Sequence, residues 1–225
     1  MNNTFVRVTR GAGIILALGL VAASFSNIRQ PLAPLPDAKV DAAPSPSKEQ
    51  VAVFAGGCFW GIEAVFEHLK GVTDATSGYA GGGAATAHYD MVSAGNTGHA
   101  ESVQVRYDPS KVSYGALLKV YFSVAHDPTQ LNRQGPDSGT QYRSEIFTTS
   151  ADQQRVANAY IAQLQAAHAF EQPIVTRVAP LQTFYPAEGY HQNFARLNPN
   201  YPYIVYNDLP KVARLKQLYP QWYHD

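Results

Sequence analysis

The run Gln50-Val51-Ala52-Val53-Phe54-Ala55 meets Gly56-Gly57-Cys58, and a helical pattern follows at once. The first six residues are mostly apolar and short, which suits a buried strand. Beyond the turn, Ile62, Val65, Phe66 and Leu69 fall at helical spacing, which predicts a helix over 59–70 with Gly71 as its C-cap. A strand, a two-glycine turn and a helix therefore fix the start of the fold, and Cys58 sits where the helix begins. Free N–H groups and the positive end of the helix dipole favour an anion at such a position. A thiol there is expected to have a lowered pKa, and its thiolate is the nucleophile. A lone cysteine is more often a small buried hydrophobe; the glycine turn, the helix start and Phe59-Trp60 favour the reactive reading.

Cys58 is the sole cysteine of the 225 residues, so neither an intrachain disulfide nor a multi-cysteine zinc site can form. Formal net charge is zero, with 17 basic and 17 acidic side chains scattered along the chain, so no basic patch points to nucleic acid. A monomer without metal or bound organic cofactor is expected.

Residues 1–26 hold Arg7 and Arg10, then an uncharged apolar stretch from Gly11 to Phe25. This reads as a signal peptide or an N-terminal membrane anchor, with the rest exported: periplasmic, or tethered to the membrane. Residues 27–49 carry prolines at 31, 34, 36, 44 and 46 and read as a linker unable to build a core. The domain is placed at 50–225.

Within it, strands are predicted at 72–79, 101–107, 142–148 and 174–178. Helices are predicted at 114–124 with Ser113 as N-cap, at 152–170, and more briefly at 186–197. Residues 125–142 form a long polar loop, functional or disordered, and the Tyr/Pro-rich tail from Asn198 is expected to wrap the surface. The order predicts an α+β fold: a ferredoxin-like two-layer sandwich with a mixed or antiparallel sheet.

Glu101 opens a strand; facing an apolar pocket beside Phe59 or Trp60, its carboxyl would stay protonated and act as a general acid. Tyr89 and Tyr142 lie where a phenol could donate to a substrate oxygen. Asp137 lies in the long loop, where simple turn chemistry is the alternative. His88, His99 and His191 show no paired metal-ligand spacing. A Cys–His hydrolase would need a histidine near Cys58, and His191 is the best candidate.

Five motifs in order, Gly57-Cys58-Phe59-Trp60-Gly61, Gly98-His99-Ala100-Glu101, Tyr107-Asp108-Pro109, Gly139-Thr140-Gln141-Tyr142-Arg143-Ser144 and Ala187-Glu188-Gly189-Tyr190-His191-Gln192, resemble the A-type peptide methionine sulfoxide reductases. The likeness spans Val51 to the Tyr/Pro tail. It implies that Cys58 attacks the sulfoxide sulfur of oxidised methionine, free or in proteins, and becomes a sulfenic acid. It implies Glu101 as the acid, Tyr89 and Tyr142 as holders of the oxygen, and Phe59 and Trp60 as the wall for the methyl group. Asp137 matches a supporting position, and Glu188 and His191 match an element lining the site. It further implies selectivity for the S epimer. Many relatives carry resolving cysteines towards the C-terminus; residues 198–225 contain none. Re-reduction is therefore expected from outside, by a thioredoxin-like or glutaredoxin-like protein or a small thiol. Two other readings of the residues are a peroxidase using Cys58 and a binding module with an inert Cys58.

Overall fold

A computed structural model describes residues 33–43 and 47–225. The expected leader at 1–26 lies outside the described residues. Among the described residues, no helix is long and apolar enough to cross a membrane.

The chain is a mixed α+β fold around a six-stranded sheet. Its strands are β1 Gln50–Ala55, β2 Val72–Ala80, β3 Ala100–Tyr107, β4 Glu145–Thr148, β5 Arg177–Pro180 and β6 Phe184–Pro186. They lie in the order β5-β4-β1-β3-β2-β6. All neighbours are antiparallel except β4 and β5. Helices α1 Phe59–Glu67, α2 Tyr114–Val120, α3 Ala151–Ala166 and α4 Leu209–Leu218 feed one buried core.

Strand alternation sorts the side chains. Ala52 and Phe54 of β1, with Val103, Val105 and Tyr107 of β3, face that core. Phe54 stacks on Phe66 of α1 at 5.2 Å and on Tyr121 at 4.9 Å. Val53 and Ala55 face a smaller cluster with Ala80, Ala100 and Phe147. Both faces of β1 are covered, which is why its sequence is nearly continuous in apolar residues.

Several expectations shift. The first helix stops at Glu67 rather than 70. Ser113 does cap α2, accepting from the Ala116 N–H at 3.2 Å, but the helix loosens into a π-type turn over Tyr121–Ala125. The strand expected at 142–148 begins at Glu145, leaving Tyr142 in a 3-10 turn. The strand expected at 174–178 is Arg177–Pro180. The helix expected at 186–197 is split into turns at Gly189–His191 and Phe194–Leu197. In the long loop, His126, Asp127, Gln134 and Gln141 are buried, so most of it is built into the domain.

Two segments read as peripheral contribute to the interior. The tail forms α4, which buries Leu215 and is followed by buried Tyr219. The proline-rich stretch lies along α2 and α3: Leu35 is 4% exposed, and the Pro36 carbonyl accepts from the Tyr160 hydroxyl at 2.8 Å. Asp41 accepts from Ser113 Oγ at 2.5 Å and from the Gly115 N–H at 2.8 Å, finishing the cap of α2. Prolines keep this stretch from forming a core of its own, not from lending a leucine to another. Leu35→Ala is expected to cost about 2–3 kcal/mol of stability, read as a lower urea midpoint with unchanged slope.

Candidate functional site

The Gly56-Gly57 turn is gripped from three sides. The Tyr121 hydroxyl donates to the Ala55 carbonyl at 2.7 Å. His126 lies under Gly56, where an added Cβ would meet its ring at 2.9 Å. Gly57 has φ +98°, and a Cβ there would sit 2.5 Å from Gln134. Gln134 is fixed in turn, donating to the Asp127 carbonyl and accepting from the Asp127 N–H, both at 3.1 Å. Cys58 then caps α1, with 8% of its surface exposed.

Register brings Glu101 to this turn. Phe54 pairs with Val103 and Ala55 with Ser102, so Glu101 stands just past the end of β1. It shares the helix-facing parity of Val103 and Val105. Its Oε2 accepts the Phe59 N–H at 3.0 Å, one of the free donors of α1, and it is 2% exposed. Burial pushes its pKa up from 4.5 to about 8; the Phe59 N–H opposes this, while Asp137 and Asp208 add to it. A carboxyl with a pKa of about 8 keeps its proton at neutral pH.

The thiol departs from expectation. Burial pushes Cys58 well above its ordinary value, and Asp208 and, once it is ionised, Glu101 push the same way. The Trp60 N–H and Lys211 pull it down but do not win. A helix start lowers a thiol pKa where solvent reaches it; here desolvation outweighs the first-turn N–H groups. The resting group is a neutral thiol.

Tyr89 and Tyr142 converge on the same point. Burial raises both phenols, with Glu101 and Cys58 among the groups acting on each. Asp137 is half-buried and accepts a short hydrogen bond from Tyr203. Burial raises the Asp137 carboxyl, while Tyr203 and Lys211 hold it down. Asp137 is thus tied to Tyr203, whose ring stands edge-on to Trp60.

Phe59 and Trp60 form an aromatic wall with His191 and Tyr203. Phe59 lies 6.0 Å from Tyr79 and 5.0 Å from His191. Trp60 stacks on Phe194 at 3.9 Å and meets Tyr203 edge-on at 6.0 Å. His191 packs against Tyr89 at 4.4 Å, and neither of its ring nitrogens has a hydrogen-bond partner among the described residues. Burial lowers its pKa and keeps the ring neutral, and with both nitrogens unpartnered it is not hydrogen-bonded to Cys58 as a Cys–His pair would be. Glu188 acts one step back, accepting from the Tyr89 N–H at 3.0 Å and the Tyr79 hydroxyl at 2.8 Å. His99 is buried with Nε2 3.0 Å from the Gly83 carbonyl oxygen, and His88 is exposed. Among the described residues, no group of His, Cys, Asp and Glu is arranged to hold a metal.

Reading the tail as surface wrapping missed Tyr203, Asp208 and Lys211. A signal for the last two was present. Asp208-Leu209-Pro210 is a helix-start pattern, with proline in the first turn. Nothing local marks Tyr203 among fourteen tyrosines.

Comparison with known proteins places these features. The family model described as peptide methionine sulfoxide reductase matches residues 50–222. A curated Mesorhizobium japonicum protein, peptide methionine sulfoxide reductase MsrA 2, is 61% identical over 186 residues, covering 83% of this chain and 95% of that one. A Synechocystis protein of the same name is 52% identical over 211 residues, covering 92% and 96%. Among solved structures, reduced Mxr1 from Saccharomyces cerevisiae superposes with a TM-score of 0.63 at 34% identity, covering 71% of this chain and 91% of that one. Methionine sulfoxide reductase A of Corynebacterium diphtheriae gives 0.58 at 34% identity, covering 75% and 85%.

Proposed function

The chain belongs to the peptide methionine sulfoxide reductase family, and from that premise we propose how its site reduces methionine sulfoxide, free and in proteins. The observation that carries the reading is the protonated Glu101 docked on the Phe59 N–H beside the Cys58 thiol. Cys58 sulfur attacks the sulfoxide sulfur. Glu101 gives its proton to the sulfoxide oxygen and takes one back from the thiol. The oxygen ends on Cys58, so thiol plus sulfoxide gives sulfenic acid plus thioether, and no proton is gained or lost overall.

The Tyr89 and Tyr142 hydroxyls donate to the polarised oxygen. Phe59 and Trp60 receive the methyl group, and their shape selects the S epimer. Asp137 orients Tyr203 beside Trp60, Glu188 anchors the Tyr89 backbone, and His191 fills the wall behind them.

Recycling falls to an external thiol, because the chain holds no second cysteine. A thioredoxin-like or glutaredoxin-like protein or a small thiol fits that need. We read the central strands as a ferredoxin-like core: β4-β1-β3-β2 are antiparallel, with α1 crossing from β1 to β2, and α2 lying between β3 and β4. The apolar N-terminal stretch supports an exported enzyme.

The test supplies a racemic methyl sulfoxide with dithiothreitol and resolves the epimers. Consumption of the S epimer alone is expected. Equal consumption of both would remove the epimer selection, and consumption of neither would overturn the activity.

A further inference from the structure

One turn along α1 from Cys58 lies a buried ion pair that the reaction above does not use. Asp208 is fully buried and Lys211 is 7% exposed, with Nζ 3.1 Å from Oδ1. The second oxygen of Asp208, Oδ2, has no hydrogen-bond partner among the described residues. The pair presses on Gly61: an added Cβ would lie 2.1 Å from Asp208 Oδ1 and 2.6 Å from Lys211 Nζ. Gly61 is three residues from Cys58, and residues three apart share one side of a helix. The ammonium therefore stands on the Cys58 side of the α1 N-terminus, in a space that only glycine leaves open.

Building on the reductase reading, we propose that Lys211 is the cation that stabilises the Cys58 thiolate, with Asp208 as the counter-ion that allows an ammonium to be buried there. The step that needs it is recycling. A donor thiol condenses with the sulfenic acid to give a mixed disulfide and water. A second donor thiolate then attacks the donor's own sulfur, forming the donor disulfide and expelling Cys58 as a thiolate. A lower leaving-group pKa makes that departure faster. With no second cysteine to share the work, the leaving ability of Cys58 governs this step.

The surroundings are otherwise hostile to an anion. Glu101 from β3 and Asp208 beside α4 raise the thiol, as does burial; the Trp60 N–H and Lys211 oppose them. The phenols of Tyr89, Tyr142 and Tyr203 also face Cys58. Among the described residues, Lys211 is the cation that acts to lower the thiol pKa.

The test is iodoacetamide alkylation of the full chain as a function of pH. Cys58 is the sole thiol, so all label reports on it, and the reaction needs no sulfoxide. The result therefore stands apart from whether the chain reduces one. Lys211→Met is expected to raise the alkylation midpoint, slowing labelling below it about tenfold per unit of rise. Lys211→Arg is expected to keep the wild-type midpoint. Asp208→Asn keeps an oxygen to accept from the ammonium, removes an opposing negative charge and is expected to lower the midpoint. Loosened packing would move the two partners' variants the same way; a charge role moves them oppositely. Should Lys211→Met fail to fold, Asp208→Asn/Lys211→Met leaves no lone buried charge, and its midpoint is expected above that of Asp208→Asn. Equal midpoints for Lys211→Met and Lys211→Arg, shifts of one sign for both partners, or no shift at all would overturn the proposal.

Discussion

Without any added thiol, the protein is expected to make one methionine per chain and then stop. The sulfoxide oxygen moves to Cys58 as a sulfenic acid, the first and reversible rung of thiol oxidation. Elsewhere the usual exit is a second cysteine that condenses with it, and none of the 225 residues supplies one. Cys58 is only 8% exposed before reaction, so its oxidised form waits for a thiol able to enter. Mass analysis after the burst should find one added oxygen on the peptide containing Cys58. Dithiothreitol should restore the thiol and continuous turnover. Cys58→Ser is expected to give no burst and no turnover, since a serine hydroxyl neither attacks sulfur nor carries the oxygen away. Repeated turnover without thiol, or residual turnover in Cys58→Ser, would sink the single-thiol cycle.

What the sequence discloses and what it hides divide along physical lines. The β1-turn-α1 unit is legible because its causes are local: an apolar run, two glycines, then helical periodicity. Glu101 is legible as a buried acid because strand alternation from Val103 and Val105 points it at the core. The Cys58 pKa is not. Helix-start chemistry is local and lowers it, but burial by distant segments, with Asp208 from just before α4 and Glu101 of β3 once ionised, pushes it up, and burial prevails. The same holds for Leu35. Its proline-rich neighbourhood describes a segment without a core, yet Tyr160 and Ser113 anchor that segment to a core built elsewhere. A strand over 142–148 would put Tyr142 at a strand edge; after Gly139 at φ +139° the chain instead sets it in a 3-10 turn, Thr140–Tyr142, while Asp137 sits just before that glycine in a short strand pair.

Glu101→Gln is expected to lower kcat for sulfoxide reduction about 10²–10⁴-fold, the usual range for loss of a general acid. Glutamine keeps an acceptor for the Phe59 N–H and removes only the transferable proton. A peroxide-reducing enzyme built on Cys58 would be indifferent to the change, so the same variant separates the two chemistries. The pH dependence follows from the Glu101 pKa of about 8. Wild-type kcat/KM should fall as pH rises through that value, because the acid form is lost, and the residual rate of the variant should lack that limb. Stability has its own sign. The folded state holds the Glu101 proton up to about pH 8, while a carboxyl at the ordinary 4.5 releases it in the unfolded chain. Between those values the folded state binds more protons, so stability falls as pH rises. Glu101→Gln abolishes that slope, and urea midpoints at pH 5 and at pH 8 should show the variant gaining on the wild type at the higher pH. A variant that loses activity and stability equally at both pH values would mean that Glu101 serves as packing, and the proton donor would have to be sought at Tyr89 or Tyr142.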